Sequence, residues 1–114
     1  MLTVTKRTNG DTSLLDLAGA IDGSDSCRKI HEAIRGSLDA GHRKIVFNLS
    51  DVAWINSLGV GFLVAACVSA AKEDAAVRLV GMSPRVDSVL RACGIVPHIW
   101  KDFADERGAL ESLQ

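Results

Sequence analysis

The sequence predicts an α/β fold: a mostly parallel central sheet with an antiparallel hairpin at its N-terminal edge. Three observations predict it. Asn9-Gly10, a strong two-residue turn signal, separates two strand-like segments. After them, strand-like runs alternate with segments whose apolar residues recur at helical spacing, the pattern of strands joined by right-handed helical crossovers. Finally, KIVFNL over 44–49 is apolar at consecutive positions, as expected of a strand covered on both faces. The predicted order is β-β-α-β-α-β-α-β-α. At 114 residues and 47% hydrophobic, the chain is sized for one domain with a real core. It shows no internal repeat, low-complexity stretch or dividing linker.

The elements follow in order. Residues 2–8 (LTVTKRT) place Leu2, Val4 and Lys6 on one side and threonines on the other, and residues 12–21 (TSLLDLAGAI) return antiparallel to them. Asp22-Gly23-Ser24 supplies caps for a helix carrying Cys27, Ile30, Ile34 and Leu38, which Gly41 can close. The third strand is set at 44–49. The loop beyond it contains Trp54 and leads into a helix starting at Ser57, with Leu58, Phe62, Leu63, Ala66, Cys67 and Ala70 as its apolar residues. Small residues (Gly59, Gly61, Ala65, Ala66) suit that helix to close approach on the sheet. Residues 77–82 (VRLVGM) form a fourth strand. Ser83-Pro84 is a cap followed by a first-turn proline, and Gly94 ends that helix. Residues 95–100 (IVPHIW) are expected as a short edge strand, and 102–113 as a last helix using Phe103, Leu110 and Leu113.

Bulk chemistry excludes several functions. The formal net charge of −1 gives no electrostatic case for nucleic acid or an anionic membrane as the main partner. The N-terminus lacks a basic-then-apolar leader pattern, and the longest apolar stretch, near 58–71, is too short to span a bilayer. Cys27, Cys67 and Cys93 form neither a disulfide framework nor a CxxC pair, so a reducing, cytoplasmic setting is expected. His31, His42 and His98 are scattered without ligand spacing, so no metal and no other cofactor is expected. Gly59-Val60-Gly61 lacks the third glycine of a dinucleotide loop, and no P-loop is present. Ser57 has no G-x-S-x-G elbow and no identifiable His/Asp pair, which argues against a hydrolase; no catalytic residue is assigned.

The stretch INSLGVG, residues 55–61, is the place where chemistry concentrates. It lies where a strand's carboxyl end turns into a helix, the usual position for functional groups in open α/β sheets. Asn56 and Ser57 read as ordinary cap residues, the commoner use of these types. The alternative is a presented hydroxyl. A phosphate on Ser57 would add roughly −1.5 to −2 charges. The helix N-terminus would tolerate that charge, whereas an acidic or apolar partner surface would not. Trp54 reads either as core beneath the loop or as an exposed aromatic anchor. Asp22 and Asp51 are expected at the same end of the sheet, with turn and cap chemistry as the plainer role for Asp51.

The run RKIVFNLSDVAWINSLGVGFLVAA resembles the central motif of the STAS family, the bacterial anti-sigma-factor antagonists. In that family a strand ends in an Asp-Leu-Ser-like turn, followed by an apolar pair and an Asp-Ser-Ser-Gly or Asp-Ser-Thr-Gly helix start. LAGAID, with Gly19 and Asp22, resembles the family's second strand. VRLVGMSPRVDSVLRACGI, with Leu90 and Gly94, resembles its fourth strand and third helix. Together the similarity spans nearly the whole chain and implies a single STAS-like domain over residues 1–114.

The resemblance also implies a function. Family antagonists bind an anti-sigma factor that is itself a serine kinase, which releases a sigma factor. The kinase then phosphorylates the serine after the Asp, which breaks the complex, and a serine phosphatase resets it. Ser57 occupies that serine position. The implied contact face is Asp22, Asp51, Trp54, Asn56, Ser57 and Leu58, on a protein that is not an enzyme. Here Asn48 and Asn56 stand where the family usually carries Asp, and Leu58 stands in place of the second Ser or Thr. The departures at Asn48 and Asn56 motivate an alternative, an unphosphorylated STAS scaffold subunit of a stress-signalling, lipid-transport or anion-transport assembly.

Overall fold

The computed structural model describes residues 1–114. A five-stranded sheet runs in the order β1-β2-β3-β4-β5. The strands are β1 (Leu2–Asn9), β2 (Thr12–Ile21), β3 (Lys44–Ile55), β4 (Ala76–Val80) and β5 (Lys101–Phe103). β1 and β2 pair antiparallel around Asn9-Gly10, and all later neighbours pair parallel. The helices are α1 (Arg28–Asp39), α2 (Ser57–Lys72), α3 (Pro84–Ala92) and α4 (Glu106–Ser112).

The two parities of the sheet make two cores. Leu15, Leu17, Ile45, Phe47, Leu49 and Leu79 face α1, α2 and α3, which contribute Ile30, Ile34, Leu63, Ala66, Val86 and Leu90. Leu14, Val46 and Val80 face the other way, onto Ala109 and Leu113 of α4. The consecutive apolar residues of KIVFNL are therefore needed on both sides. Gly41 ends α1 at φ +88, and Ser83 caps α3 by accepting from Val86 N–H at 3.3 Å, with Pro84 in the first turn.

Four expectations need correction. β3 runs on to Ile55 rather than stopping at 49, so Trp54 lies on a strand and not in a loop. The register explains why. Between Asp16/Ala18 and again between Gly19/Ala20, β3 uses one more residue than β2, giving two bulges. Core positions on β3 then fall three apart, at Leu49, Val52 and Ile55, and the period of two is lost. Residues 95–99 are not a strand. They close a wide turn in which Trp100 N–H donates to Ile95 O at 2.8 Å, and β5 begins only at Lys101. Trp100 is buried there, its ring 5.3 Å from that of Phe47. The last helix starts at Glu106, because Asp105 caps it by accepting from Gly108 N–H at 2.9 Å. Lastly, Leu58 and two of the small α2 residues, Gly61 and Ala65, point to solvent rather than to the sheet. No helix is long and apolar enough to cross a membrane.

Candidate functional site

The site is built where β2 and β3 end together. Ile21 pairs with Ile55, and Asn56 N–H donates to Ile21 O at 3.3 Å. One turn into α2, Gly59 lies directly on the same Ile21 carbonyl, where any Cβ would collide with that oxygen. Gly23, at φ +86, sits against Leu58 in the same way. The close approach of these two glycines fixes the start of α2 against the end of β2.

Asn56 does the capping. Its Oδ1 accepts from Gly59 N–H at 2.9 Å from an extended backbone, the N-cap geometry. Ser57 is the first helical residue, exposed, and its hydroxyl makes no hydrogen bond within the protein. Asn56 thus takes the cap, and the Ser57 hydroxyl is left exposed. On one side stands Leu58, 71% exposed, and on the strand before it Trp54, 45% exposed. The Arg85 guanidinium of α3 lies over the Trp54 indole, 3.8 Å from its centroid. Between α2 and α3 runs a shallow apolar groove of about 500 Å³, lined by Ile55, Ser57, Val60, Val89 and Cys93, with Arg85 as its single charged residue.

The apolar surface continues along α2. From Ser57 to Ala71 the helix carries no charge, and Val64 and Val68 are about half exposed on its outer side. Cys67 faces the core, where burial pushes its thiol up to about 12, so it is no ready nucleophile.

The remaining predicted residues lie around this centre. Asp22 follows β2, and its Oδ1 accepts from Ser24 N–H at 3.0 Å, which holds its carboxyl below the usual range. Its neighbour Gly23 carries the contact to Leu58. Asp51 is exposed on β3 opposite Ala18, three β2 positions short of Ile21, roughly 10 Å down the sheet. Asn48 is farther still and faces α4. Its amide donates to Asp16 Oδ1 at 2.9 Å, and its Oδ1 accepts from Ser50. Asn48 is therefore remote from Ser57, and of the two replaced carboxylates only Asn56 adjoins that hydroxyl. Arg85 is the neighbour that sequence reasoning missed. Nothing local marks it, because its partner Trp54 lies on a different element. No three His, Cys, Asp or Glu side chains converge as a metal site.

The STAS domain family model matches residues 3–109. The chain belongs to the STAS domain family. No curated protein matched the sequence. Among solved structures, a candidate anti-sigma factor antagonist from Thermotoga maritima is 22% identical, with a TM-score of 0.84 over 96% of this chain and 92% of that one. An anti-sigma factor antagonist from Mycobacterium paratuberculosis is 20% identical, with a TM-score of 0.83 over 98% and 93%. The Bacillus cell-fate determinant SpoIIAA in its phosphorylated form is 20% identical, with a TM-score of 0.73 over 98% and 100%. At these identities the likeness establishes a shared fold, and the STAS architecture expected from the sequence is the one present.

Proposed function

We propose that this STAS domain is an anti-sigma-factor antagonist that binds an anti-sigma factor with serine kinase activity, and that phosphorylation of Ser57 breaks the complex. The observation that carries this reading is the Ser57 hydroxyl: exposed, without a hydrogen bond, and set between exposed Trp54 and Leu58 on a helix that Asn56 already caps. A hydroxyl spared from capping can be modified without unravelling the helix. In the free protein the phosphate would sit at a helix N-terminus, which favours anions by about 0.3–1 kcal/mol at exposed sites. In the complex it would lie among apolar contact residues, where a charge lacking a partner is costly. The modification is thus mild in one state and disruptive in the other.

Trp54, Leu58 and Ser57 form the centre of the contact face, with Asn56 and Asp22 beside them and Asp51 at the rim. The partner is the kinase itself, a serine phosphatase reverses the reaction, and the domain carries out no chemistry of its own. Binding of the anti-sigma factor should fall at least tenfold, about 1.4 kcal/mol, on Ser57→Asp and stay unchanged on Ser57→Ala, read by titration calorimetry. Equal affinities for the two variants would remove the switch. Asn56, neutral beside the acceptor, favours a second reading, a scaffold that binds constitutively. Phosphate mapping by mass spectrometry on protein from its own cells separates the two: an unmodified Ser57 under growth and stress, with a partner still bound, supports the scaffold.

A further inference from the structure

We propose that Arg85 is the internal receptor for a phosphate on Ser57, and that accepting it draws the guanidinium off the Trp54 indole. The inference rests on the phosphorylation reading above and adds to it a binding residue on a different helix. In the modifying step, Ser57 Oγ bonds to the terminal phosphorus of a nucleoside triphosphate held by the kinase. The bridging P–O bond breaks, nucleoside diphosphate leaves, and the hydroxyl proton passes to a base of the kinase.

Three observations place Arg85 in this role. Ser57 and Arg85 line the same groove, and no other charged residue does. Arg85 is also free. The salt bridges of the molecule engage Arg7, Arg35, Arg43, Lys44, Arg91 and Arg107, and Arg85 is in none of them. The other arginine near it on α3, Arg91, is held by Asp87 and Asp102 and cannot compete. Lastly, what Arg85 has now is exchangeable. A cation over an exposed indole is held more weakly than a guanidinium forked onto phosphate oxygens by charge-assisted hydrogen bonds.

The exchange has two results on one face. An apolar groove with a single cation at its edge is bridged by an ion pair between α2 and α3. At the same moment Trp54 loses the guanidinium that covers its ring. A partner that had matched the unmodified surface meets a changed groove and a changed aromatic, beyond the added charge itself.

The test uses the full chain with phosphoserine installed at position 57 during synthesis, so that neither kinase nor partner is needed. Phosphorus NMR titrations are run on this protein and on its Arg85→Ala and Arg85→Lys forms. The helix N-terminus acts on the phosphate in all three and cancels. The midpoint of the second phosphate ionisation should be lowest with Arg85, highest in Arg85→Ala and intermediate in Arg85→Lys. Coincident midpoints in the parent and Arg85→Ala would overturn the proposal. Failure of the phosphorylation reading looks different: Ser57→Asp and Ser57→Ala bind the anti-sigma factor equally, whatever the NMR midpoints do.

Discussion

The middle of β3 and its far end, on one strand, carry opposite chemistry. At Asn48 every polar group is answered. The Asn48 amide donates to Asp16, which accepts from Arg7 Nε at 2.6 Å and Nη2 at 2.8 Å, and Arg7 reaches on to Glu106 of α4 at 2.7 Å. At Trp54, Ser57 and Leu58 the opposite holds: an indole, a hydroxyl and a leucine face solvent, and the nearest cation has no anion. The first arrangement ties β1, β2 and β3 to α4 and is complete within the chain. The second is answered within the chain only by the Arg85 contact to Trp54 and otherwise faces solvent. Charge and polarity alone would have pointed to the Arg7 network as the functional place. Counting the unanswered groups points to the α2 start.

The comparison can be broken at either region. The largest effect is expected at the junction that holds the second region in place. Gly59→Ala forces a methyl into the Ile21 carbonyl and should cost about 3 kcal/mol of stability by urea denaturation, the upper part of the overpacking range. Gly61→Ala, two residues on in open space, should instead gain about 0.5–1 kcal/mol from helix propensity. Similar losses at both would mean that the close approach does not anchor α2.

Next comes Trp54→Ala. It should weaken anti-sigma-factor binding by about 2 kcal/mol, as a contact anchor does, and shift the melting temperature little, because the indole lies on the surface. A large stability loss with unchanged affinity would make Trp54 a structural residue and erase the contrast.

The smallest effect belongs to Asn48→Asp, which restores the family's usual residue. It sets a carboxylate against Asp16 and should cost about 1 kcal/mol at neutral pH, with partner affinity unchanged. Its pH dependence can be signed. The Arg7 hydrogen bond, helped by Asn48, holds the Asp16 carboxyl below its ordinary value. In the parent this stability is present above the unfolded-state value and is lost as the pH falls through the lower, folded-state one. In Asn48→Asp the added penalty should shrink on acidification, once one of the two carboxyls is protonated. A penalty that persists at low pH would mean that packing, not charge, sets it.

Much of the frame was legible in the residues. Asn9-Gly10 fixed the hairpin, and the Ser83-Pro84 start and the Gly41 and Gly94 ends bounded their helices, because caps and turns are local chemistry. Asn56, read as a cap, placed Ser57 at the head of α2, where the structure has it. What escaped was whatever depends on pairing with distant residues. The two bulges in β3 exist only relative to β2, so no pattern in residues 50–55 announces that the strand continues. The outer side of α2 was hidden for another reason. With Leu58, Val64 and Val68 as apolar as the inner side, periodicity cannot say which face is covered. Arg85 needed the fold itself, since α3 brings it to Trp54 from more than thirty positions away.

The placement of the two indoles has an optical consequence. The chain has two tryptophans and no tyrosine, so its near-ultraviolet emission comes from Trp54 and Trp100 alone. Trp100 is sealed against Phe47 and reports on whether the sheet is intact. Trp54 is half exposed beneath the Arg85 guanidinium and reports on whatever meets the surface. A collisional quencher such as iodide reaches one emitter and not the other. Integrity and occupancy can therefore be read separately from a single unlabelled sample.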